Sequence, residues 1–342
     1  LRADGAALVV VAAHAGGRCT DFSDPEDLSS CNMSAEIMAV ANALEPGLVD
    51  YIIGGHHHNP IAHIVNGIPI TSNRGSTYSF GRVDFKLDPD QQQVISRRVF
   101  APQQTGPGSG DQYEGYPLVA NPEVERVAIL AATRVEALKQ EKLGVSLTAP
   151  FDLKPDIESA ISNLMTEALL ASFDAEIAIH NVFGGIRNGL PSGELTYGAV
   201  FEMFPFDNVV TIHEVSGRDL RYIMARNVHT RRLPGFAGMR VFVTCDNTKM
   251  GVEMRLDDGR IINDDDRIRV VANDFLAMGG DDILTPAIPD GGFEWRYDLP
   301  TTRETLISWF QAGPKTLAPE DFRTHDVPKW NLPDPLPANC QY

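Results

Sequence analysis

Three histidines beside two glycine pairs are the residues of this chain best suited to chemistry. His14 follows the apolar run Leu8-Val9-Val10-Val11-Ala12-Ala13, and Gly54-Gly55-His56-His57-His58-Asn59 follows Val49-Asp50-Tyr51-Ile52-Ile53. Imidazole is the commonest metal-ligating side chain and changes charge near neutral pH. One such histidine in a loop is unremarkable; three, each closing a strand, point to half of a metal site. Alternate side chains of an extended segment share a face, so His56 and His58 are expected to look at one centre and His57 away from it.

The elements that position them can be read from the apolar pattern. Residues 8–13 form an unbroken apolar run that predicts a strand buried on both faces. His14-Ala15-Gly16-Gly17 opens the loop at its carboxyl end, where open α/β sheets keep their sites. Residues 68–71 and 81–87 alternate like strands. Residues 104–110 are a punctuated, flexible composition, and helical spacing of Val124, Val127, Ile129, Leu130, Val135 and Leu138 predicts a helix over 122–143. That helix reads equally as a bridge between domains or as an ordinary packing helix.

Composition narrows the function classes. With 342 residues, 43% of them hydrophobic, two globular domains are expected. No apolar run reaches membrane-spanning length. A formal net charge of -17 opposes nucleic-acid or anionic-membrane binding through bulk electrostatics, and it would repel a phosphate unless a local cationic site reversed the field. The four cysteines have no CxxC spacing; Cys19 and Cys31 bracket a polar, acidic loop just after His14.

The second half holds residues suited to a nucleotide. Gly184 and Gly185 allow close backbone approach, and Arg187 offers a permanently charged fork for phosphate or ribose oxygens. Phe206 and Phe275 could sandwich a base, where stacking is worth about 1–3 kcal/mol per base. Asp281, after two glycines, could accept hydrogen bonds from ribose or base. Taken singly they also read as a surface arginine, two core rings and a turn aspartate.

Several motifs resemble the 5'-nucleotidase family, in which a calcineurin-like metallophosphatase domain precedes a characteristic C-terminal domain. Ala13-His14-Ala15-Gly16 and Gly54-Gly55-His56-His57-His58 are similar to its later metal motifs, with His57 where Thr or Ser is usual. The helix beginning near Glu158, Asn181-Val182-Phe183-Gly184-Gly185-Ile186-Arg187, Leu190-Pro191-Ser192-Gly193-Glu194-Leu195-Thr196-Tyr197, Phe204-Pro205-Phe206-Asp207-Asn208 and Asn273-Asp274-Phe275-Leu276-Ala277-Met278-Gly279-Gly280-Asp281 follow in the family's order. Phe183 looks like an insertion, and the arginines usual before the helix are missing unless Lys154 substitutes. Residues 226–232, with three arginines, read as a solvated loop in preference to replacement cations.

The resemblance implies an α/β (α+β) chain. Residues 1–105 would be the C-terminal half of a four-layer metallophosphatase β-sandwich, 106–145 a linker with a bridging helix, and 146–342 a separate mixed α/β nucleotide-binding domain. It implies two divalent metal ions (Zn, Mn, Mg, Ca or Co) partly held by His14, His56 and His58, and a nucleotide held by Arg187, Phe206, Phe275, Asp281, Gly184, Gly185, Asn181 and Gly238. The family's earlier Asp-x-His, Gly-Asp and Gly-Asn-His motifs are expected upstream of Leu1, making this a C-terminal fragment inactive on its own. Base grip and metals on different domains would require domain closure on binding. The expected activity is hydrolysis of nucleotide phosphate monoesters. Esters of nucleotide sugars, 2',3'-cyclic nucleotides, nucleoside di- or triphosphates or thiosulfate carriers, or silent nucleotide binding, are the alternatives. The family's usual periplasmic, secreted or cell-surface address favours a Cys19–Cys31 disulfide over two free thiols, with Cys245 and Cys340 a weaker second pair.

Overall fold

Short β-branched and aliphatic runs become the inner strands of two compact units, Leu1–Asn121 and Pro122–Tyr342. The computed structural model describes all residues except 89, 92, 106–109, 111, 154–157, 183, 247, 295–297, 324–327, 336–339, 341 and 342. Lys154 and Phe183, both singled out by sequence, lie outside the described residues.

In the first unit β1 (Val10–Ala12), α1 (Glu36–Ala43), β2 (Tyr51–Ile53), β3 (Ile61–Val65) and β4 (Ile68–Ser72) form a sheet ordered β1-β2-β4-β3 with one helix. β1, β2 and β4 run parallel and β3 antiparallel. Ile37, Met38, Ile52, Ile61 and Ile70 are wholly buried and build its core. β1 is shorter and less buried than its sequence predicts: it is an edge strand with one neighbour, and Val10 is 44% exposed. β5 (Ser79–Asp88) and β6 (Gln93–Gln104) make a long hairpin, and β7 (Gln112–Tyr113) with β8 (Tyr116–Pro117) a short one.

The second unit opens with α2 (Pro122–Lys139), none of whose residues is buried. The expected helix stops four residues early because Leu143 belongs to β9 (Lys142–Leu147), whose alternate side chains are buried. Next come α3 (Ala160–Ser172), β10 (Ile177–His180), β11 (Gly193–Thr196), α4 (Tyr197–Met203), β12 (Val210–Ser216), α5 (Gly217–Thr230), β13 (Gly235–Ala237) and β14 (Met239–Asp246). β15 (Lys249–Leu256), β16 (Arg267–Asn273), α6 (Asp274–Ala277), α7 (Thr302–Ala312), β17 (Thr316–Leu317) and β18 (Trp330–Asn331) complete it. Ser159 caps α3 by accepting from Ser162 N, as Ser216 caps α5 by accepting from Asp219 N; each satisfies a backbone donor the helix leaves open.

The sheet that matters most is ordered β12-β16-β10-β13. β10 is buried along its whole length and runs parallel to β16, with Ala178 opposite Val271. β12 runs antiparallel to β16, with Val210 opposite Asn273. The start of β12 and the ends of β10 and β16 therefore lie at one edge of the sheet. Cys19–Cys31 and Cys245–Cys340 are both disulfide-bonded.

Candidate functional site

In the first unit, the register Ala12↔Ile53 sends the segments after β1 and β2 out of the same sheet edge. Backbone bonds extend the pairing past the strands, from Ala13 N to Ile53 O at 2.9 Å and from Gly55 N to Ala15 O at 2.9 Å. His14 and His56 consequently meet: His14 Nε2 lies 3.1 Å from His56 Nδ1. Two nitrogens each about 2.0–2.1 Å from one shared ion would sit at a comparable separation. Glu36, the first residue of α1, stands beside His56, since ligand atoms of Glu36, His56 and His57 lie within 4.8 Å of one another. Imidazole nitrogens with a carboxylate are a donor set that fits a divalent transition ion.

The alternation expected for the histidine run is not found. Residues 54–60 are not a strand, and His56 (φ 68°) and His58 (φ 51°) are both left-handed. The coil brings His57 beside His56, with ring centroids 4.8 Å apart, and turns His58 against Gly75, where an added Cβ would stand 2.5 Å from its Nδ1. Sequence spacing gave no sign of Glu36, which arrives from a helix beyond the Cys19–Cys31 loop.

In the second unit, four of the expected residues gather at the shared edge of β10, β12 and β16. Asn181, just past β10, donates its Nδ2 to Asp281 Oδ2 at 2.6 Å. Asn208, just before β12, donates to Asp274 Oδ1 at 2.7 Å, and Asp274 Oδ1 also accepts from Phe275 N at 2.8 Å. The ring of Phe275 lies on Gly280, next to Asp281, and remains 38% exposed. Phe206 stands edge-on to buried Phe204 at 5.2 Å between centroids, and the exposed Arg187 guanidinium lies 5.2 Å from the Phe206 centroid, within cation–π range. Arg187 is held there by its backbone N, which donates to Met203 O at 2.8 Å.

Two glycines have a different task from the one expected. A Cβ on Gly185 would fall 2.2 Å from Asn181 O and 2.7 Å from His180 Nε2, so its smallness serves the approach of its own loop to β10. Gly238, between β13 and β14 with φ 89°, is buried, and a Cβ there would fall 2.1 Å from Glu176 O; only glycine fits both the dihedral and the space. Gly184 (φ 83°) has open space around its Cα.

Arg303 and His180 were not singled out by sequence, and Arg226 reads there only as part of a solvated loop. Arg303 on α7 is 9% exposed; its guanidinium donates to Phe206 O at 2.9 Å and pairs with Asp207, fixing the segment that carries Phe206. Arg226 pairs with Asp282, whose carboxyl is held below the usual range chiefly by that hydrogen bond. Residues 226–230 are the last turns of α5, not the loop expected. His180 is completely buried beside Asn181; desolvation pushes its pKa down to about 3, and neither ring nitrogen has a hydrogen-bond partner among the described residues.

Comparison with known proteins bears on both units. Residues 142–287 match the family model described as 5'-nucleotidase, C-terminal domain. Cell wall protein Lmo0130 of Listeria monocytogenes is 25% identical over 310 residues, covering 82% of this chain and 38% of that protein. Trifunctional nucleotide phosphoesterase protein YfkN of Bacillus subtilis is 27% identical over 256 residues, covering 68% and 17%. Among solved structures, the 5'-nucleotidase precursor from Thermus thermophilus has the same fold, with a TM-score of 0.52 at 20% identity over 79% of this chain and 57% of that one. The chain thus spans less than two thirds of each of these proteins.

Proposed function

We propose that this chain, which belongs to the 5'-nucleotidase family, is the nucleoside-gripping and partly metal-holding portion of a metal-dependent hydrolase of nucleotide phosphate monoesters. The observation that carries the reading is the convergence at one sheet edge of Asn181, Asp281, Phe275 and the Phe206 segment, tied by the Asn181–Asp281 and Asn208–Asp274 hydrogen bonds. Strand carboxyl ends in open α/β sheets are the usual place for such a ligand.

In this reading Phe275, exposed and backed by Gly280, stacks on the base, with Phe206 as the second ring. Asp281 uses the oxygen not taken by Asn181 to accept from a ribose hydroxyl. Arg187, exposed beyond Phe206, offers its fork to a phosphate or ribose oxygen. Arg303 holds the Phe206–Asp207 backbone without touching the ligand.

In the first unit His14, His56 and Glu36, with His57 or His58, would hold part of a site for two divalent ions, drawn from Zn, Mn, Mg, Ca or Co. Such ions supply Lewis acidity toward phosphoryl oxygens. They would also offset the repulsion between a phosphate and a chain of formal net charge -17. Two disulfides suit an oxidising, extracytoplasmic address, and the relative Lmo0130 is a cell wall protein by name. No described helix is long and apolar enough to cross a membrane.

Titration calorimetry of adenosine and AMP against this chain tests the reading, with Phe275→Ala as the control. Saturable binding weakened in the variant supports it; equal binding by both proteins removes the base grip from the proposal.

A further inference from the structure

We propose that the Cys19–Cys31 disulfide conceals a second metal site, a Cys2His centre completed by His63, that opens to a zinc-class ion when the disulfide is reduced. Ligand atoms of Cys19, Cys31 and His63 lie within 4.8 Å of one another. His63, in the middle of β3, is fully buried; its Nε2 makes no hydrogen bond of normal geometry among the described residues, although the Asp21 backbone acts on the ring against the larger effect of burial. Buried side-chain nitrogens are rarely left without such a bond. Burial also lowers the His63 pKa, so the ring is neutral, the form that binds metals.

The backbone brings these groups together without help from the sulfur bond. Cys19 N donates to Pro60 O at 3.2 Å, one residue before β3, and Asn32 N donates to Arg18 O at 2.9 Å, so both cysteines are pinned beside the strand that carries His63. Cys31 is partly exposed, which gives a reductant access to one sulfur. The acidic residues Asp21, Asp24 and Asp27, on the loop between the cysteines, act electrostatically on His63 and would attract a cation.

The chemistry balances with a dithiol reductant. Its thiolate attacks the Cys31 sulfur, and two electrons pass to the protein. The S–S bond breaks, the reductant closes its own disulfide, and two protein thiols result. Zinc binding then displaces the two thiol protons and leaves two thiolates and one imidazole on the ion, with a fourth position for water or a carboxylate. This site is separate from the His14–His56 cluster and does not depend on the proposed hydrolase activity.

The test uses the whole chain, oxidised and after anaerobic reduction with a dithiol that is then removed by gel filtration, titrated with Co(II) and then Zn(II). The expected result is a thiolate-to-cobalt charge-transfer band in the reduced chain only, bleached by zinc. The band should persist in Cys245→Ser/Cys340→Ser and vanish in Cys31→Ser and in His63→Gln. Absence of the band after reduction, or its persistence in Cys31→Ser, overturns the proposal. Should the reduced chain lose its near-ultraviolet dichroism, recovery of that signal on adding zinc supports the site, and failure to recover overturns it.

Discussion

Asn181 and Asp281, separated by 100 residues in sequence, are joined by a 2.6 Å hydrogen bond from amide to carboxylate. The bond ties the end of β10 to the turn that follows α6, and so fixes a carboxylate at the sheet edge with one oxygen not taken by Asn181. Asp281 sits at φ 51°, a conformation that asparagine and aspartate tolerate better than most residues.

Asp281→Asn therefore keeps the backbone but can set two amide donors against each other. Adenosine binding is expected to weaken about tenfold, the loss of a charge-assisted hydrogen bond worth about 1.5–3 kcal/mol being partly recovered by the new amide. Calorimetry beside a thermal melt separates this from unfolding; unchanged affinity would remove Asp281 from the grip.

Phe275→Ala and Phe204→Ala should behave oppositely. Phe275 is 38% exposed, so its loss should cost only about 1–2 kcal/mol of stability alongside about 1–3 kcal/mol of base stacking. Phe204, fully buried behind Phe206, should cost about 3–5 kcal/mol of stability when truncated. Urea unfolding of both variants with parallel adenosine titration checks the contrast.

Burial depresses His180 to about 3 and His213 to about 4, both below the unfolded value of 6.5. A histidine lowered on folding binds more protons when unfolded, so its neutral state favours the native chain fully above pH 6.5 and the advantage is lost as pH falls toward the folded value. Each should contribute a slope of up to about 1.4 kcal/mol per pH unit across that window. Melting temperature should accordingly fall between pH 6.5 and 4, and fall less steeply in His213→Gln. An identical slope in that variant would argue against the assignment.

The two disulfides should differ in weight. Their sequence separations are 12 and 95 residues, which in the chain-entropy account correspond to about 2.8 and about 4.7 kcal/mol. Cys245→Ala/Cys340→Ala should lower the denaturation midpoint more than Cys19→Ala/Cys31→Ala, as denaturant titration would show.

Metal affinity should depend on His56 more than on His58. His56 touches His14 and shares the cluster with Glu36 and His57, whereas the His58 ring rests on Gly75. Manganese titration of His56→Ala and His58→Ala reads the difference, and a larger loss in the second would reverse the ranking.

Much of this arrangement was legible in the sequence because local chemistry dictates it. The alternating runs at 68–71 and 81–87 lie in β4 and β5, and the helix expected near Glu158 is α3. Phe206, Phe275, Asn181 and Asp281 are picked out together, by their places in motifs that resemble a known family, since singly the two rings read as core residues and the aspartate as part of a turn. What the sequence hid depends on partners far along the chain. Arg303 acts on Phe206 from 97 residues away, and Glu36 reaches the histidines only because the start of α1 folds back onto their loop. The histidine run misled for a local reason: two left-handed residues in a glycine-led segment cancel the alternation that a strand would impose.

The Cys245–Cys340 bond also decides what a protease can accomplish. The turn at 257–260, between β15 and β16, is exposed along its length. A single cut there would sever the peptide chain between β14 and Phe275, yet residues 261–340 would stay covalently attached through Cys340. A nicked molecule would run as one band on a gel without reductant and as two with it, so loss of intact polypeptide need not mean loss of the sheet edge.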